Sequence, residues 1–449
     1  MVNGVPLYTC LRDQTLTLLR DGAGGTGAPE TAQKGRIFPK RLLDGAIRLP
    51  RLRRAKTVVF TSSVYRRDRG RNLACEYLME KYPDTAVFEW PSRNEAFDSA
   101  YFSDPNRDRY CPLDFYLVRY KLARLLRKKR MAADAERIRN QLRAEFDAAP
   151  PPENENEAAA IRYLLDTLPE SYAATELSQS IFRRMFRRYT SIRYAIDFWG
   201  SGRENIFPVL PGAPEKIELQ HGLISAEHPG YIYPRFVKTV PSDFFQRKLL
   251  VYGEGTKRLL CSRSVFDEAQ IEVVGNPRIR MYRRVFGVRE QERSLILFTS
   301  QPFEQDGSGT GYYDTVIPYL KALQNMTRSG KYALWIKLHP RETETIAARY
   351  NTAIPDVKVC GAASELYELL NRTYIHITAN STTLYEAAEF GAPTITLRYT
   401  GYDPKRIFGN EVFVADDPAG LQSILRELTN EDRYNCYLTQ LQILSKEFS

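Results

Sequence analysis

Short β-branched and aromatic runs punctuate the chain, with amphipathic or polar stretches between them. The first, "KTVVFTSS" (56–63), is followed by a helix-compatible segment and then by "DTAVFEW" (84–90). From Pro112 to Ala149 the pattern turns helical, with Leu117, Tyr120, Leu122, Leu125 and Leu126 recurring near a period of 3.6. "APPPENENE" (149–157) stops that helix because proline cannot continue it, and a second helical stretch runs over 157–190. "KIELQHG" (216–222) reads as a strand ending at a loop.

The second half is more regular. Strand-like runs recur at "KLLVYG", "IEVVG", "SLILFTS", "YALWIKLH", "VKVC", "YIHITA", "PTITL" and "EVFVA" between positions 248 and 415. Segments such as "YDTVIPYLKALQNM", "ASELYELLNR", "TTLYEAAEF" and "PAGLQSILREL" separate most of them with helical periodicity. Apolar strands alternating with helices predict an α/β protein whose parallel sheets are covered on both faces. The break between domains is expected near 240–247, giving a unit 1–243 with a helical insertion and basic segments, and a unit 244–449.

Length agrees with two domains, since 449 residues exceed what one core ordinarily holds. Apolar and charged fractions of 43% and 26% describe a globular chain. No stretch approaches the length of a membrane span. The start, "MVNGVPLYTCLRDQTL", lacks the pattern of a secretory signal, so a cytoplasmic location is expected. Six scattered cysteines without a C-x-x-C pair argue against a disulfide framework or a zinc site.

The formal charge of +10 is concentrated in "RIFPKRLLDGAIRLPRLRRAK" (36–56), "VRYKLARLLRKKR" (118–130) and "FRRMFRRY" (182–189). Such stretches suit an anionic membrane surface, which would make the protein peripheral at the inner face of the membrane. They suit equally a solvated helix face whose apolar side packs on its own domain. No zinc spacing, RNP-like strand or basic heptad pattern points to nucleic acid as a partner.

Parallel sheets bind ligands beyond the carboxyl ends of their strands, so the residues there are the candidates for chemistry. They are Gln220-His221-Gly222, Gly275-Asn276-Pro277-Arg278, Thr299-Ser300-Gln301, His339-Pro340-Arg341 and Ala379-Asn380-Ser381-Thr382-Thr383. Singly each reads as a turn or a strand end. Together they line hydroxyls, amides, an arginine and two histidines along one edge, which predicts a binding cleft. Ser381, Thr382 and Thr383 fall where a helix begins, an arrangement suited to phosphate, and Glu386 lies one turn on, within reach of ribose hydroxyls. "LISAEHPGYIYP" (223–234) adds Glu227, His228 and Tyr231.

Thr383-x-x-Glu386-x4-Gly391-x-Pro393 resembles the nucleotide-sugar signature of GT-B glycosyltransferases, whose Thr/Ser cluster meets the diphosphate and whose Glu holds the ribose. Gln220-His221-Gly222, His339-Pro340 and Ser381-Thr382 resemble the motifs of a bacterial subgroup that builds capsules, teichoic acids and sialylated or Kdo-containing glycans. The resemblance spans about residues 205–425. The His-Gly loop departs from the paired acids of sialyltransferase-like members and is nearer that of glycerophosphotransferase-type polymerases.

The resemblance implies a GT-B fold, two Rossmann-like domains facing a central cleft, and a metal-independent transferase without a cofactor. Its co-substrate would be a CMP-, CDP- or UDP-linked sugar and its acceptor a glycan or lipid-linked hydroxyl, as in capsule or lipopolysaccharide synthesis. His221 is the expected base and His339 the donor to the leaving phosphate. Arg278, Ser300, Pro340, Asn380, Ser381, Thr382, Thr383 and Glu386 are expected on the donor, and Gln220, Glu227, His228 and Tyr231 on the acceptor. No Asp-x-Asp motif offers a metal site. Three alternatives stay open: a glycerol- or ribitol-phosphate transferase, a nucleotide-sugar 2-epimerase, and a non-catalytic glycan-assembly or membrane-binding subunit.

Overall fold

The computed structural model describes residues 39–92, 95–197, 204–226, 228, 230–233, 247–287, 292–304, 311–328, 330–361, 363–399 and 403–448. They form two wholly parallel sheets. The first contains β1 (Thr57–Ser62), β2 (Thr85–Trp90), β3 (Tyr110–Pro112), β4 (Tyr194–Asp197), β5 (Glu215–Leu219), β6 (Lys248–Val251) and β7 (Ile271–Val273), in the order β3-β2-β1-β4-β5-β6-β7. The second contains β8 (Leu295–Thr299), β9 (Ala333–Lys337), β10 (Lys358–Cys360), β11 (Thr373–Thr378), β12 (Thr394–Leu397) and β13 (Phe413–Ala415), in the order β10-β9-β8-β11-β12-β13. Burial explains the composition: every residue of β1, β8 and β12 is inside, as expected of strands covered on both faces.

In each sheet the strand order reverses once, at β1/β4 and at β8/β11. Loops leaving adjacent strands at such a point diverge to opposite faces, and the crevice between them is where ligands bind in open α/β sheets.

One face of the first sheet is sealed by rings. Phe60 lies 5.6 Å from Phe88, and Phe182 and Phe186 from helix Glu155–Phe186 close over both. That helix and helix Lys128–Asp147 form the hairpin that the sequence marked as an insertion, with Asn154 capping the return through the Glu157 amide (3.0 Å). The opposite face carries helices Leu73–Lys81 and Pro277–Phe286 and meets the second unit through Tyr282, Tyr367 and Phe390.

The domain break differs from expectation. β6, β7 and helix Pro277–Phe286 belong to the first sheet's unit, so the changeover lies between Phe286 and Leu295 and not at 243. "KLLVYG" and "IEVVG" look like every other buried strand, and nothing in a strand's own sequence says which sheet it joins. The last helix, Glu431–Phe448, packs on helix Thr383–Glu389 and then returns to the first unit. Its end lies so close to Gly253 that a Cβ there would sit 2.1 Å from the Glu447 carbonyl oxygen. Among the described residues no helix is long and apolar enough to cross a membrane.

Candidate active site in the interdomain cleft

Loops from the carboxyl ends of both sheets enclose a cleft of about 460 Å³. Arg67 follows β1 and His221 follows β5. Ser300 follows β8, His339 and Pro340 follow β9, and Asn380 through Thr383 follow β11. His221 and His339 thus line one cleft from opposite units, together with His228, Arg278 and Glu386.

His339 is fixed from behind. Glu342, 3% exposed, accepts from the His339 amide (2.5 Å), the Ser300 hydroxyl (2.7 Å) and the Tyr313 hydroxyl (2.7 Å). The His339 ring accepts from the Arg341 amide at Nδ1 (3.2 Å), so a neutral ring carries its proton on Nε2. Burial, then the charges of Arg341, Arg67 and Lys337, hold its pKa well below the ordinary value. His339 is therefore a neutral donor. His228 has the same arrangement, accepting from the Gly230 amide at Nδ1 (3.1 Å).

His221 is also neutral, its pKa lowered to about 3 by burial and then by His228, Arg67 and Arg341. Its Nδ1 is buried with no hydrogen-bond partner among the described residues.

Arg278 lines the cleft but is engaged already. Its Nε and Nη2 donate to the two oxygens of Asp68 (both 2.8 Å), Nη1 lies 4.0 Å from Glu386, and the guanidinium covers the Tyr367 ring at 4.1 Å. It ties β1's loop, its own helix and the second unit together. Ser300 is likewise turned away, its hydroxyl shared between Glu342 and Tyr350, so it supports the His339 loop.

Two residues assigned to the acceptor are elsewhere. Gln220 is 1% exposed and staples its loop, donating to Gly222 O (2.8 Å) and accepting from the Tyr252 amide (2.7 Å). Tyr231 is 2% exposed within the apolar cluster of Ile224, Tyr233 and Leu249. A Gly/Pro-rich segment hides which of its side chains turn inward. Glu227 lies outside the described residues.

The expected helix start is present: helix Thr383–Glu389 follows Ser381 and Thr382, and Ser381 Oγ accepts from the Thr383 amide (3.2 Å). Beneath it lies the fourth histidine. His376 Nε2 meets Thr299 Oγ1 (2.9 Å), Nδ1 meets Thr394 Oγ1 (2.9 Å), and Thr299 Oγ1 reaches Thr383 Oγ1 (3.4 Å). Gly391 sits at φ 76°, and a Cβ there would lie 2.5 Å from Arg293 Nη2, which explains the glycine.

Arg67 and Lys337 were not anticipated. Arg67 Nε donates to Val64 O (3.1 Å), its guanidinium lies 5.0 Å from the Tyr65 ring centroid, and no carboxylate pairs with it among the described residues. Lys337 is 4% exposed and donates to Leu338 O (2.6 Å), and burial brings its pKa down to about 7. Both had signals: "RRDRGR" follows a strand end, and a lysine interrupts the apolar run of β9. The cleft is rich in cations, and among the described residues lining it Glu386 alone carries a carboxylate.

No family model and no curated protein matches the chain. Solved structures share its fold. MnaA of S. aureus, in a co-structure with UDP, is 12% identical over 88% of this chain and 91% of its own, with a TM-score of 0.50. A UDP-GlcNAc 2-epimerase from Neisseria meningitidis bound to UDP-GlcNAc is 12% identical over 87% and 94%, with a TM-score of 0.45. A glycosyltransferase from Rickettsia africae is 10% identical over 87% and 93%, with a TM-score of 0.46. The likeness is one of fold: the chain has the GT-B-like architecture of two Rossmann-type domains.

Proposed function

We propose that the protein is a metal-independent glycosyltransferase that moves a sugar from a nucleotide-activated donor to a glycan or lipid-linked acceptor of the bacterial surface. The observation that carries this reading is the cleft itself. Arg67, Lys337 and His339 supply positive charge and an N–H donor there, and Glu386, which lines the same cleft, is the carboxylate we assign to the ribose hydroxyls. A nucleotide diphosphate or monophosphate matches that distribution.

In the proposed reaction His221 takes the acceptor's hydroxyl proton while that oxygen bonds to the anomeric carbon. The bond from this carbon to the phosphate oxygen breaks, and the electron pair stays on the phosphate. Arg67, Lys337 and the His339 Nε2–H stabilise that charge, and the hydroxyls of Ser381–Thr383 add donors. One displacement inverts the anomeric centre. His221 is a weak base in the empty cleft, because burial and, after it, the surrounding cations lower its pKa. An anionic donor neutralises those cations and raises its basicity when it is needed.

The bond broken separates this reading from polyol-phosphate transfer, which would cleave phosphorus–oxygen within the diphosphate. A 2-epimerase needs acids around the sugar ring, and among the described residues lining the cleft Glu386 alone carries a carboxylate.

A thermal-shift panel of CMP, CDP, UDP, their sugars and CDP-glycerol tests the reading. At least one nucleotide sugar should raise the melting temperature, and His221→Ala should keep that shift while losing about 100-fold or more in turnover. No shift with any nucleotide would sink the proposal, and turnover of CDP-glycerol alone would replace it with polyol-phosphate transfer.

A further inference from the structure

Helix Asp114–Leu126 begins inside the protein and ends outside it. Asp114, Phe115 and Tyr116 are buried, whereas Val118, Leu122, Leu125 and Leu126 are 39%, 55%, 71% and 76% exposed. Residues spaced three and four apart share a side of a helix, so these four form one stripe. A single exposed leucine is ordinary, but an uncovered row of them marks a docking surface. Of the apolar positions its period picked out, Leu117 and Tyr120 pack on the first unit's core, whereas Leu122, Leu125 and Leu126 stay uncovered.

The charges around the stripe say what covers it. Between Asp114 and Asp134 the chain has seven Lys and Arg residues and no carboxylate. Arg119, Lys121, Arg124, Lys128 and Lys129 have no acidic partner among the described residues. Helices Pro39–Arg51 and Glu155–Phe186 both pack against this helix. Charged residues are depleted from the cores of protein–protein interfaces, so an apolar stripe ringed by seven cations and no carboxylate fits a second protein poorly. It fits a bilayer well, because leucines enter the acyl boundary while long cationic side chains reach back to lipid phosphates.

We propose that helix Asp114–Leu126 and the basic turn after it dock the protein on an anionic phospholipid bilayer, with Val118, Leu122, Leu125 and Leu126 entering the headgroup boundary. The surface is separate from the cleft, and the proposal does not depend on the reaction assigned there.

The test is flotation of the full chain with phosphatidylglycerol-containing vesicles and with pure phosphatidylcholine vesicles, at low and high salt. The wild type should float with the anionic vesicles, less so at high salt, and stay behind with the neutral ones. The double variants L125D/L126D and K128E/K129E should each lose about tenfold or more in partition. Their melting temperatures and nucleotide shifts should stay those of the wild type. If the leucine pair fails to fold, Leu122→Ser is the substitute. Equal binding to neutral vesicles, no binding to anionic ones, or both double variants floating like the wild type would overturn the proposal. So would a dimer in sedimentation that L125D/L126D splits, since the stripe would then be a self-interface.

Discussion

Arg67 is a half-buried guanidinium that donates to a backbone carbonyl and pairs with no carboxylate among the described residues. A cation drawn from water without a counter-charge is unfavourable, and a bound anion removes the deficit. Arg67→Gln should therefore loosen nucleotide binding by about tenfold to hundredfold in calorimetry, while the unliganded melting temperature holds or rises. Lys337 adds a pH signature. Burial lowers its pKa to about 7, so above that value the empty cleft loses an ammonium that the bound anion would restore. Nucleotide affinity should fall by up to about tenfold per pH unit above neutrality, and Lys337→Met should flatten the slope. The stability effect has the opposite trend. Between about pH 7 and its ordinary 10.5 the unfolded chain holds a proton on Lys337 that the folded chain lacks, so this residue makes unfolding harder as pH rises. His221 and His376, both lowered to about 3, act lower on the scale: stability is lost as pH falls from about 6.5 toward 3.

At the scale of elements, the loop after β9 shows how a strand end becomes a site. Glu342 gathers one amide and two hydroxyls from three segments, so Glu342→Ala would take a shared acceptor from the His339 amide and from the Ser300 and Tyr313 hydroxyls. The expected cost is about 2–4 kcal/mol in denaturant melts. Turnover should fall with it, because the His339 ring loses its support. Gly391→Ala meets a positive φ and the Arg293 guanidinium, and should cost about 1–3 kcal/mol. Both features were half legible in the sequence. "LHPRE" exposed the histidine at a strand end, but that Glu342 folds back under it is a tertiary fact with no periodic signal. The long apolar strands were legible because burial on both faces leaves an unbroken run. β3, "YCP", and β4, "YAID", lack the paired β-branched residues that made runs around equally short strands such as β7 and β10 legible. Gln220 and Tyr231 misled for the reverse reason, since a polar residue in a loop reads the same whether it faces ligand or backbone.

For the whole molecule, the placement of His221 and His339 on one cleft followed from the strand-end rule, whereas the domain break and the presence of Arg67 in that cleft required the fold. The units are tied by Arg278 between Asp68 and Glu386, by the Arg69 amide donating to Glu365, and by Arg283 with Glu389. The final helix adds a mechanical tie. Gly253→Val would drive a side chain into the Glu447 backbone, and should cost about 1–3 kcal/mol and weaken nucleotide binding along with it. Because that helix returns to the first unit, the polypeptide bridges the two lobes twice, once between Phe286 and Leu295 and once at its end. Two bridges behave like the two hinges of a door, where a single one would act as a swivel. Opening and closing of the cleft is thereby confined to a swing about the line joining them, so a pair of dyes across its mouth should report motion along a single axis.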